Sequence, residues 1–266
     1  MKYRDDAPSG KDYKTQLESY LKHIETLQFN TDLPDRRLEH QFECLKDWSL
    51  FHDEAFVKQW FLDKRNNCQM QVEEIPLNEV RNWQIDPETG NIHHDNNAFF
   101  RIHGVRITQS IDREVGKGGW DQPIITQVGY EGGVLGILSQ RFDGIPHYLI
   151  EAKAEPGNYG KLQLSPTLQA TFSNLKMAHK GRKPYFSDYF ENPEDHNVNI
   201  FYQQWLSEDG GRLYLKRNMG MLIEIPENQE LDIPDNFIWM SMYQIKSFLL
   251  ENAWVNPHIR GIIAYL

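Results

Sequence analysis

The sequence predicts an α+β fold in which helices come before and after a mostly antiparallel sheet. Residues 13–65 place apolar side chains at helical spacing, and residues 238–249 do so again. Between them, residues 99–225 contain short apolar or alternating runs separated by Gly, Pro and Asp, which is typical of strands joined by turns. A chain of 266 residues is long enough for a sizeable core.

The N-terminal part is predicted to be helical. In "YKTQLESYLKHIETL", one apolar stripe is formed at helical spacing by Leu17, Leu21, Ile24 and Leu27. The segment from Leu38 to Arg65 predicts further helix with a break near Asp53, and its aromatic side chains are expected in the core or an interface. We therefore expect residues 1–98 to form a helical N-terminal region that is continuous with a sheet-containing module over residues 99–266.

The sheet is predicted to start after a turn-rich boundary, "IDPETGNIHHDNNAFF". The predicted strands are "FFRIHGVRI", "PIITQVG", "GGVLGILSQRF", "HYLIEAKAE", "GKLQLS", "LQATFS" and "RLYLKRNMGMLIEI". Near the end, "FIWMSMYQIKSFLLEN" predicts a helix, because Ile238, Met242, Ile245 and Leu249 share one face, and "RGIIAYL" predicts a last short strand.

Polar side chains alternate along the segment from Glu151 to Thr171. Because successive residues of a strand point to opposite faces, the polar rows are Glu151, Lys153 and Glu155, then Lys161, Gln163 and Ser165, then Gln169, Thr171 and Ser173. These rows are either ordinary solvated surface or the wall of a site.

Composition narrows the possible functions. A net charge of -10 argues against a general nucleic-acid surface, which needs clustered Lys and Arg. Two cysteines, Cys44 and Cys68, suit a reducing cytoplasm better than a disulfide framework. The N-terminus lacks the apolar run of a signal peptide, and no stretch approaches the length of a membrane span, so we expect a cytoplasmic protein without nucleic-acid or membrane partners.

Several enzyme classes lack their motifs. The sequence contains no phosphate-binding P-loop, no dinucleotide fingerprint, no HExxH helix and no GxSxG elbow. His93, His94 and Asp95 are possible metal ligands, but their turn-rich setting favours a solvated loop, so no metal site is predicted.

Two segments could bind a phosphorylated ligand. "REVGKGGWDQP" could carry Trp120 as an aromatic platform, although such a segment is more often only a loop. "SEDGGRLYLKRNMG" places Arg212, Lys216 and Arg217 near a glycine turn, where arginine suits bidentate phosphate contacts. Pairing of these charges with Glu208 or Asp209 at a solvated surface is an equally good reading.

A set of motifs in fixed order resembles the NDP-hexose 2,3-dehydratases. The motifs are "WDQPII", "EAKAEPGN", "LQLSPTLQATFSN", "SEDGGR", "RNMGMLIEIP", "FIWMSMYQI" and "NPHIRGIIA", and the resemblance spans Phe99 to Leu266. It implies a Nudix-like module with a mixed or antiparallel sheet flanked by helices. The sequence lacks the glutamate-rich box that holds magnesium in Nudix hydrolases, so hydrolysis is disfavoured. Family members typically carry two modules and this chain has one, which implies a homodimer.

The resemblance also implies a reaction, removal of the C2 hydroxyl and the C3 proton of an NDP-4-keto-6-deoxyhexose, commonly a dTDP sugar. The product is a 3,4-diketo-2,6-dideoxy sugar. Because the 4-keto group acidifies the C3 proton, no cofactor is implied, and the protein need only supply a base, enolate donors and an acid. Glu155 is the predicted base, because partial burial could raise its pKa, and Glu208 and Glu151 compete with it. Lys153, Gln169 and Thr171 are predicted to contact the enolate or a hydroxyl.

The substrate-binding residues are expected around these groups. Trp120 would stack on the nucleotide base, Arg212 and Arg217 would meet the diphosphate, and Tyr159 or Lys161 would assist departure of the hydroxyl. Further predicted hydrogen-bonding contacts are Gln122, Gln163, Ser165, Thr167, Asn174 and Asn218. The family tends toward Ser-Glu-Gln-Gly-Ser-Arg-Phe where this chain has "SEDGGRL", which alters the surroundings of Glu208.

Two alternatives to the dehydratase stay open. One is a catalytically silent module that binds a sugar nucleotide. The other is a 4-ketohexose isomerase that abstracts the same C3 proton without eliminating water.

Overall fold

The computed structural model describes residues 2–27, 35–97, 99–108, 118–177 and 182–265. Helices in these residues are α1 (Gly10–Thr26), α2 (Asp35–Glu43), α3 (Glu54–Asn66), α4 (Phe172–Leu175), α5 (Ser187–Glu191), α6 (Met242–Phe248) and α7 (Pro257–Ile263). The strands are β1 (Trp83–Ile85), β2 (Ile92–His94), β3 (Phe100–Ile107), β4 (Trp120–Gln127), β5 (Gly133–Phe142), β6 (Ile145–Ala154), β7 (Leu162–Ser165), β8 (Leu168–Thr171), β9 (Asn199–Ser207), β10 (Arg217–Ile225) and β11 (Phe237–Met240). The predicted α+β fold is therefore confirmed.

The N-terminal helices begin where their capping residues predict. The Ser9 hydroxyl accepts a hydrogen bond from the Asp12 amide at 3.1 Å, and the Asp53 carboxylate accepts one from the Phe56 amide at 2.7 Å. These contacts satisfy amides that a helix start leaves without partners. The predicted break near Asp53 is confirmed, since α2 ends at Glu43 and α3 starts at Glu54.

The strands form two sheets. The smaller sheet has the order β1–β2–β3–β4, and the larger has the order β11–β6–β5–β10–β9, with β7 added to β6 and β8 added to β5. Strands β5 and β10 are parallel, and the other pairs recorded in the described residues are antiparallel. The sheet is thus mixed but mostly antiparallel, as predicted.

The larger sheet splits between β5 and β6, and we call this split the fork. The two strands pair as far as Leu138 and Leu149, after which β5 pairs with β8 and β6 pairs with β7. Thr167, in the β7–β8 connection, lies at the point of division. Its hydroxyl accepts from the Leu138 amide at 2.8 Å and donates to the Leu149 carbonyl, so it bridges the separating strands.

The core lies on both faces of the larger sheet. On one face, α3, α6 and α7 contribute Val57, Phe61, Ile245, Phe248, Ile259, Ile262 and Ile263. On the other face, α1, α2, α4 and α5 contribute Tyr13, Phe42, Leu175 and Phe190. Burial of these side chains from water stabilises the helices on the sheet.

A buried ionic network joins α2 to the larger sheet. The Arg36 guanidinium donates to Glu39 and Glu43 at 2.7 Å each, and Arg141 of β5 contacts Glu39 at 2.8 Å. Burial raises the pKa of Glu39, but the hydrogen bond and charges of Arg141 and Arg36 outweigh it and lower that pKa to about 2. Burial raises the pKa of Glu43 to about 7 against the attraction of Arg36. The network fixes the N-terminal region against the sheet.

Two sequence predictions near the C-terminus are wrong. Phe237–Met240 is a strand that pairs with β6, and the helix begins only after Ser241, which forms a capping box with Gln244. The segment "RGIIAYL" is largely helical, because the Asn256 side chain caps α7, Pro257 suits its first turn, and its buried isoleucines recur at helical spacing.

The turn-rich boundary contains a hairpin that was not predicted. Strands β1 and β2 pair antiparallel, and the Asp86 carboxylate accepts from the amides of Glu88 and Thr89 at 2.9 and 2.8 Å. An aspartate that binds amides two and three residues ahead stabilises a tight turn.

Across the residues described, every helix is too short or too polar to cross a membrane.

Candidate active site

Polar side chains from β6 and β8 meet inside the fork. The Gln169 amide donates to the Glu155 carboxylate at 2.9 Å. Lys153 lies 3.4 Å from the Glu151 carboxylate and 3.5 Å from the Gln169 carbonyl. These contacts connect the two arms of the fork, since β6 pairs with β7 and β8 pairs with β5.

Glu151 lies among protein partners. Its side chain is 16% exposed, and Asn236 donates to it at 3.2 Å. Burial raises the pKa of Glu151, and the Lys153 ammonium opposes that shift. Protein groups therefore occupy both oxygens of Glu151.

A second group lies where β9 passes into β10. Arg217 pairs with Ser207 in the ladder, and the Glu208 amide donates to the Lys216 carbonyl at 3.0 Å. The Asn218 amide donates to the Glu208 carboxylate, and the Lys216 ammonium donates to the Gln127 side chain of β4. Burial lowers the pKa of Lys216, and the charge of Glu208 opposes this effect.

The smaller sheet helps to place Glu208 and Lys216. The Ile125 amide of β4 donates to the Arg212 carbonyl at 3.0 Å, and the Tyr214 amide donates back to the Ile125 carbonyl at 2.8 Å. The connection between β9 and β10 is thus paired with β4. Its two ends, with Glu208 and Lys216, are thereby held between the two sheets.

His258 of α7 joins these groups because β7 positions the start of that helix. The Leu164 amide donates to the Trp254 carbonyl and the Asn256 amide donates to the Leu164 carbonyl, each at 2.8 Å. The Asn256 side chain then accepts from the His258 amide at 2.8 Å. The imidazole Nδ1 lies 3.9 Å from the Glu208 carboxylate, and the His258 side chain is 24% exposed.

The charges around His258 come from both groups. Burial lowers the pKa of His258, Glu208 and Glu155 raise it, and Lys216 and Lys153 lower it. The imidazole is therefore mostly neutral at pH 7, and the charges of two carboxylates and two ammonium groups act on it. We call the following set the fork cluster: Glu151, Lys153, Glu155, Gln169, Glu208, Lys216 and His258.

The fork cluster has the groups that proton transfer requires. A neutral imidazole or a carboxylate can accept a proton, and an ammonium group can stabilise a developing oxyanion. Within the described ranges, no three His, Cys, Asp or Glu side chains are arranged to hold a metal ion. His93 and His94 lie in β2, and Asp95 accepts from Gln84 at 2.7 Å.

Trp120 and Gln122 lie in a separate cleft along β3 and β4. The Trp120 indole donates to the Gln122 side chain at 2.8 Å, and Gln122 donates to the Gly211 carbonyl at 2.8 Å. The cleft has a volume of about 760 Å³, and His103 and Tyr214 also line it. The rings of His103 and Tyr214 are 5.7 Å apart and perpendicular. This aromatic cleft continues from the β9–β10 connection that carries Glu208.

Thr171 and Asn174 line another cleft, of about 320 Å³, together with Trp83, His94 and Phe100. The Thr171 hydroxyl lies 2.8 Å from the Ser173 hydroxyl and caps α4 by accepting from the Asn174 amide at 3.3 Å. In the part of the chain that the structure describes, no side-chain hydrogen bond joins Thr171 to the fork cluster, and its role in catalysis stays a prediction.

The remaining predicted residues of the two hairpin strands differ in exposure. Tyr159 is 78% exposed, and the Lys161 ammonium donates to the Met70 carbonyl at 3.1 Å. Gln163 donates to the Ala253 carbonyl at 3.0 Å, which supports the segment leading to His258. Ser165 and Thr167 are 0% and 2% exposed, and the Thr167 hydroxyl is used within the fork. Substrate contacts of these residues stay predictions.

The two predicted phosphate-binding arginines are exposed but have protein partners. Arg212 forms an ion pair with Asp209. The Arg217 guanidinium lies 4.3 Å from the centre of the Trp205 ring, a cation–π contact. Asn218 is buried and holds Glu208. Both arginines therefore lie at the protein surface, each beside one protein partner.

The sequence predictions do not include His258 and do not connect Lys216 with Glu208. A signal for His258 was present, because Asn256 followed by Pro257 predicts a helix start with the histidine in its first turn. It was overlooked because the following residues were interpreted as a strand. The meeting of His258 with Glu155 and Glu208 depends on how β6, β7 and β9 are ordered in the sheet.

Comparison with solved structures finds remote similarity to Nudix-type hydrolases. A Nudix hydrolase from M. smegmatis, RenU, has a TM-score of 0.31 and 11% identity, and the match covers 61% of this chain and 97% of that one. A C. elegans Ap4A hydrolase has a TM-score of 0.28 and 12% identity, with coverage of 50% and 95%. Scores this low carry no conclusion about the function of this chain.

Comparison of sequences finds much stronger similarity. A dTDP-4-dehydro-6-deoxy-alpha-D-glucopyranose 2,3-dehydratase of Amycolatopsis orientalis is 35% identical over 215 residues, which is 79% of this chain and 44% of that protein. An enzyme of the same name from Streptomyces violaceoruber is 35% identical over 214 residues, with coverage of 80% and 46%. The chain thus spans less than half the length of these relatives. The family model for NDP-hexose 2,3-dehydratase matches residues 54–266, and the chain belongs to that family.

Proposed function

We propose that this chain is a hydro-lyase that removes the C2 hydroxyl and the C3 proton of a dTDP-4-keto-6-deoxyhexose. The observation that carries the proposal is the fork cluster, in which carboxylate, imidazole and ammonium groups converge in a chain of this family. Relatives at 35% identity are named for this 2,3-dehydration. Because the chain spans less than half of those relatives, activity of this single module is part of the proposal.

The sugar is proposed to lie in the fork, in contact with Glu155, Gln169 and Lys153. Among the described residues, the Glu155 carboxylate accepts one side-chain hydrogen bond, whereas Glu151 is engaged by both Lys153 and Asn236. Glu155 and Glu208 are therefore the carboxylates proposed to act on the reaction. Lys153 or Lys216 would stabilise the enolate oxygen that forms when the C3 proton leaves.

The nucleotide is proposed to occupy the cleft along β3 and β4. Trp120 would stack on the base and Gln122 would donate or accept hydrogen bonds, and the cleft volume of about 760 Å³ suits a ligand of this size. Arg217, at the start of β10 beside Lys216 and Asn218, is proposed to meet the diphosphate. The nucleotide and the sugar would then extend from one sheet to the other along the β9–β10 connection.

A homodimer in the cytoplasm is part of the same proposal. The cytoplasmic location is supported by Cys44 and Cys68, which are both free. In the proposed dimer, two copies would pair through a symmetric interface.

The proposal is tested by incubating the protein with dTDP-4-keto-6-deoxyglucose in heavy water without added metal or nicotinamide. NMR follows deuterium incorporation at C3, and mass spectrometry follows loss of one water. Both signals together are expected. Exchange without water loss would favour the isomerase, and neither signal with intact nucleotide binding would favour the silent binding module.

A variant, Glu155→Gln, tests whether that carboxylate acts in the reaction. Turnover should fall about a hundred- to ten-thousandfold, because a group that accepts or stabilises a transferred proton would be lost. Affinity for dTDP measured by calorimetry should remain unchanged. Glu251→Gln, an exposed glutamate paired with Lys58, is the matched control. Normal turnover of Glu155→Gln would remove Glu155 from the mechanism.

A further inference from the structure

His258 is the one neutral base that the structure describes within the fork cluster, and the family motifs did not assign it a role. Four charges act on it: Lys153 in β6, Glu155 directly after β6, Glu208 after β9, and Lys216 before β10. No hydrogen bond to the imidazole ring is recorded among the described residues. Its Nδ1 lies 3.9 Å from Glu208, a distance that a substrate-induced shift of either side chain could shorten to a hydrogen bond.

The surroundings suit a base that becomes charged only during the reaction. Burial favours the neutral imidazole before the reaction, and the carboxylates of Glu208 and Glu155 stabilise the imidazolium once a proton arrives. A carboxylate that flanks a catalytic imidazole acts in this way in serine proteases. A base whose pKa lies near the working pH is also the most effective for proton transfer.

We propose that His258 removes the C3 proton of the substrate and returns it to the departing C2 hydroxyl, an assignment that rests on the proposed function. In the first half, the C3–H bond breaks, an N–H bond forms on His258, and the electron pair moves into the 4-keto group as an enolate. In the second half, that pair forms the C2=C3 bond, the C2–O bond breaks, and the imidazolium gives its proton to the oxygen, which leaves as water. The histidine ends neutral, so no oxidant or other co-reactant is needed.

This assignment gives the carboxylates a different role from the base predicted from the sequence. Glu155 and Glu208 stabilise the imidazolium, while Lys216 or Lys153 stabilises the enolate oxygen. Asn218 and Gln169 hold the two carboxylates in place by donating hydrogen bonds to them. Loss of either carboxylate therefore slows the reaction without removing the base.

The experiment compares wild type with His258→Gln and with His258→Ala in the heavy-water assay. Both variants should lose C3 exchange and water loss together by about a hundred- to ten-thousandfold, because one residue serves both steps. Calorimetric affinity for dTDP should stay within about twofold. Added imidazole should restore exchange in His258→Ala, which a merely structural role of the histidine would not predict. His23→Gln, at an exposed position on α1, is the matched control and should behave as wild type.

The pH dependence provides a second measurement that needs no variant to fold. The wild-type kcat/KM should fall with decreasing pH along an acid limb whose midpoint lies below 6.5, the ordinary pKa of histidine. Wild-type rates in His258→Gln, or an acid limb of the wild-type profile whose midpoint lies at or above 6.5, would overturn the assignment. If wild type itself shows neither exchange nor water loss, the proposed function fails and this assignment fails with it. If His258→Gln loses water elimination but keeps exchange, His258 is only the acid and the single-residue scheme is wrong.

Discussion

His147 should make the stability of this protein depend on pH, and the substitution His147→Gln isolates its contribution. The side chain of His147 is 0% exposed. Its Nε2 accepts from the Leu50 amide at 2.9 Å, so its Nδ1 carries the proton and donates to the Ile145 carbonyl at 3.0 Å. A second proton would break the bond from Leu50. Burial accordingly lowers the pKa of His147 to about 4.

Whether acid stabilises or destabilises the protein depends on whether the folded or the unfolded chain binds the additional proton. Between pH 6.5 and about 4, the histidine of the unfolded chain is protonated while His147 in the folded chain stays neutral. The free energy of unfolding therefore decreases as pH falls, by about 1.4 kcal/mol per pH unit for one group. His147 gives its full stabilisation above pH 6.5. Between pH 7 and pH 5 it should account for a loss of about 2 kcal/mol, since roughly 1.5 units of that interval lie below 6.5.

The assay is urea denaturation of wild type and His147→Gln at pH 7 and pH 5. Glutamine can accept from Leu50 but does not titrate, so wild type should lose about 2 kcal/mol more than the variant between these pH values. Taking the difference removes the other titrating groups, among them Glu43, whose raised pKa of about 7 acts in the opposite direction. Equal pH dependence of wild type and His147→Gln would refute the argument.

Two further substitutions test the fork and the proposed phosphate contact. Thr167→Val should reduce the free energy of unfolding by about 2 kcal/mol, because the buried Leu138 amide and Leu149 carbonyl lose their bridging hydroxyl. Thr167→Ser keeps the hydroxyl and should retain most of that stability. Equal urea midpoints for the two variants would contradict this. Arg217→Ala should weaken dTDP binding about tenfold in calorimetry if the guanidinium contacts phosphate. Arg101→Ala is the exposed control. Unchanged affinity would leave Arg217 as a surface residue packed on Trp205.

The sequence predicted elements well where the signal was local. The helix α1, the break at Asp53 and the alternation along β6 and β7 each depend on neighbours a few residues apart, and the structure confirms them. The predicted stripe of α1 is one residue too long, because Leu27 follows the helix and is exposed. Prediction failed at the C-terminus, where apolar runs fit either a strand or a helix. There, Phe237–Met240 became a strand because β6 offered it an open edge.

The candidate site could be predicted only in part. The polar rows of β6 and β7 do share a face, since Glu151 pairs with Ser165 and Lys153 with Gln163. The same alternation did not predict that the Thr167 hydroxyl bridges β5 and β6 at the fork. Nor could it tell that Thr171 would line a different cleft from Glu155.

By itself the sequence determined the α+β class, the polar rows and the family, because periodicity and ordered motifs are properties of the chain alone. Only the tertiary structure decided that Glu155, Glu208 and His258 meet. Their meeting depends on the division of β5 from β6, on the pairing of the β9–β10 connection with β4, and on the pairing of residues 254–256 with β7. These are hydrogen-bonded contacts between segments far apart in the chain, whose partners are chosen by burial of the whole core rather than by any local pattern.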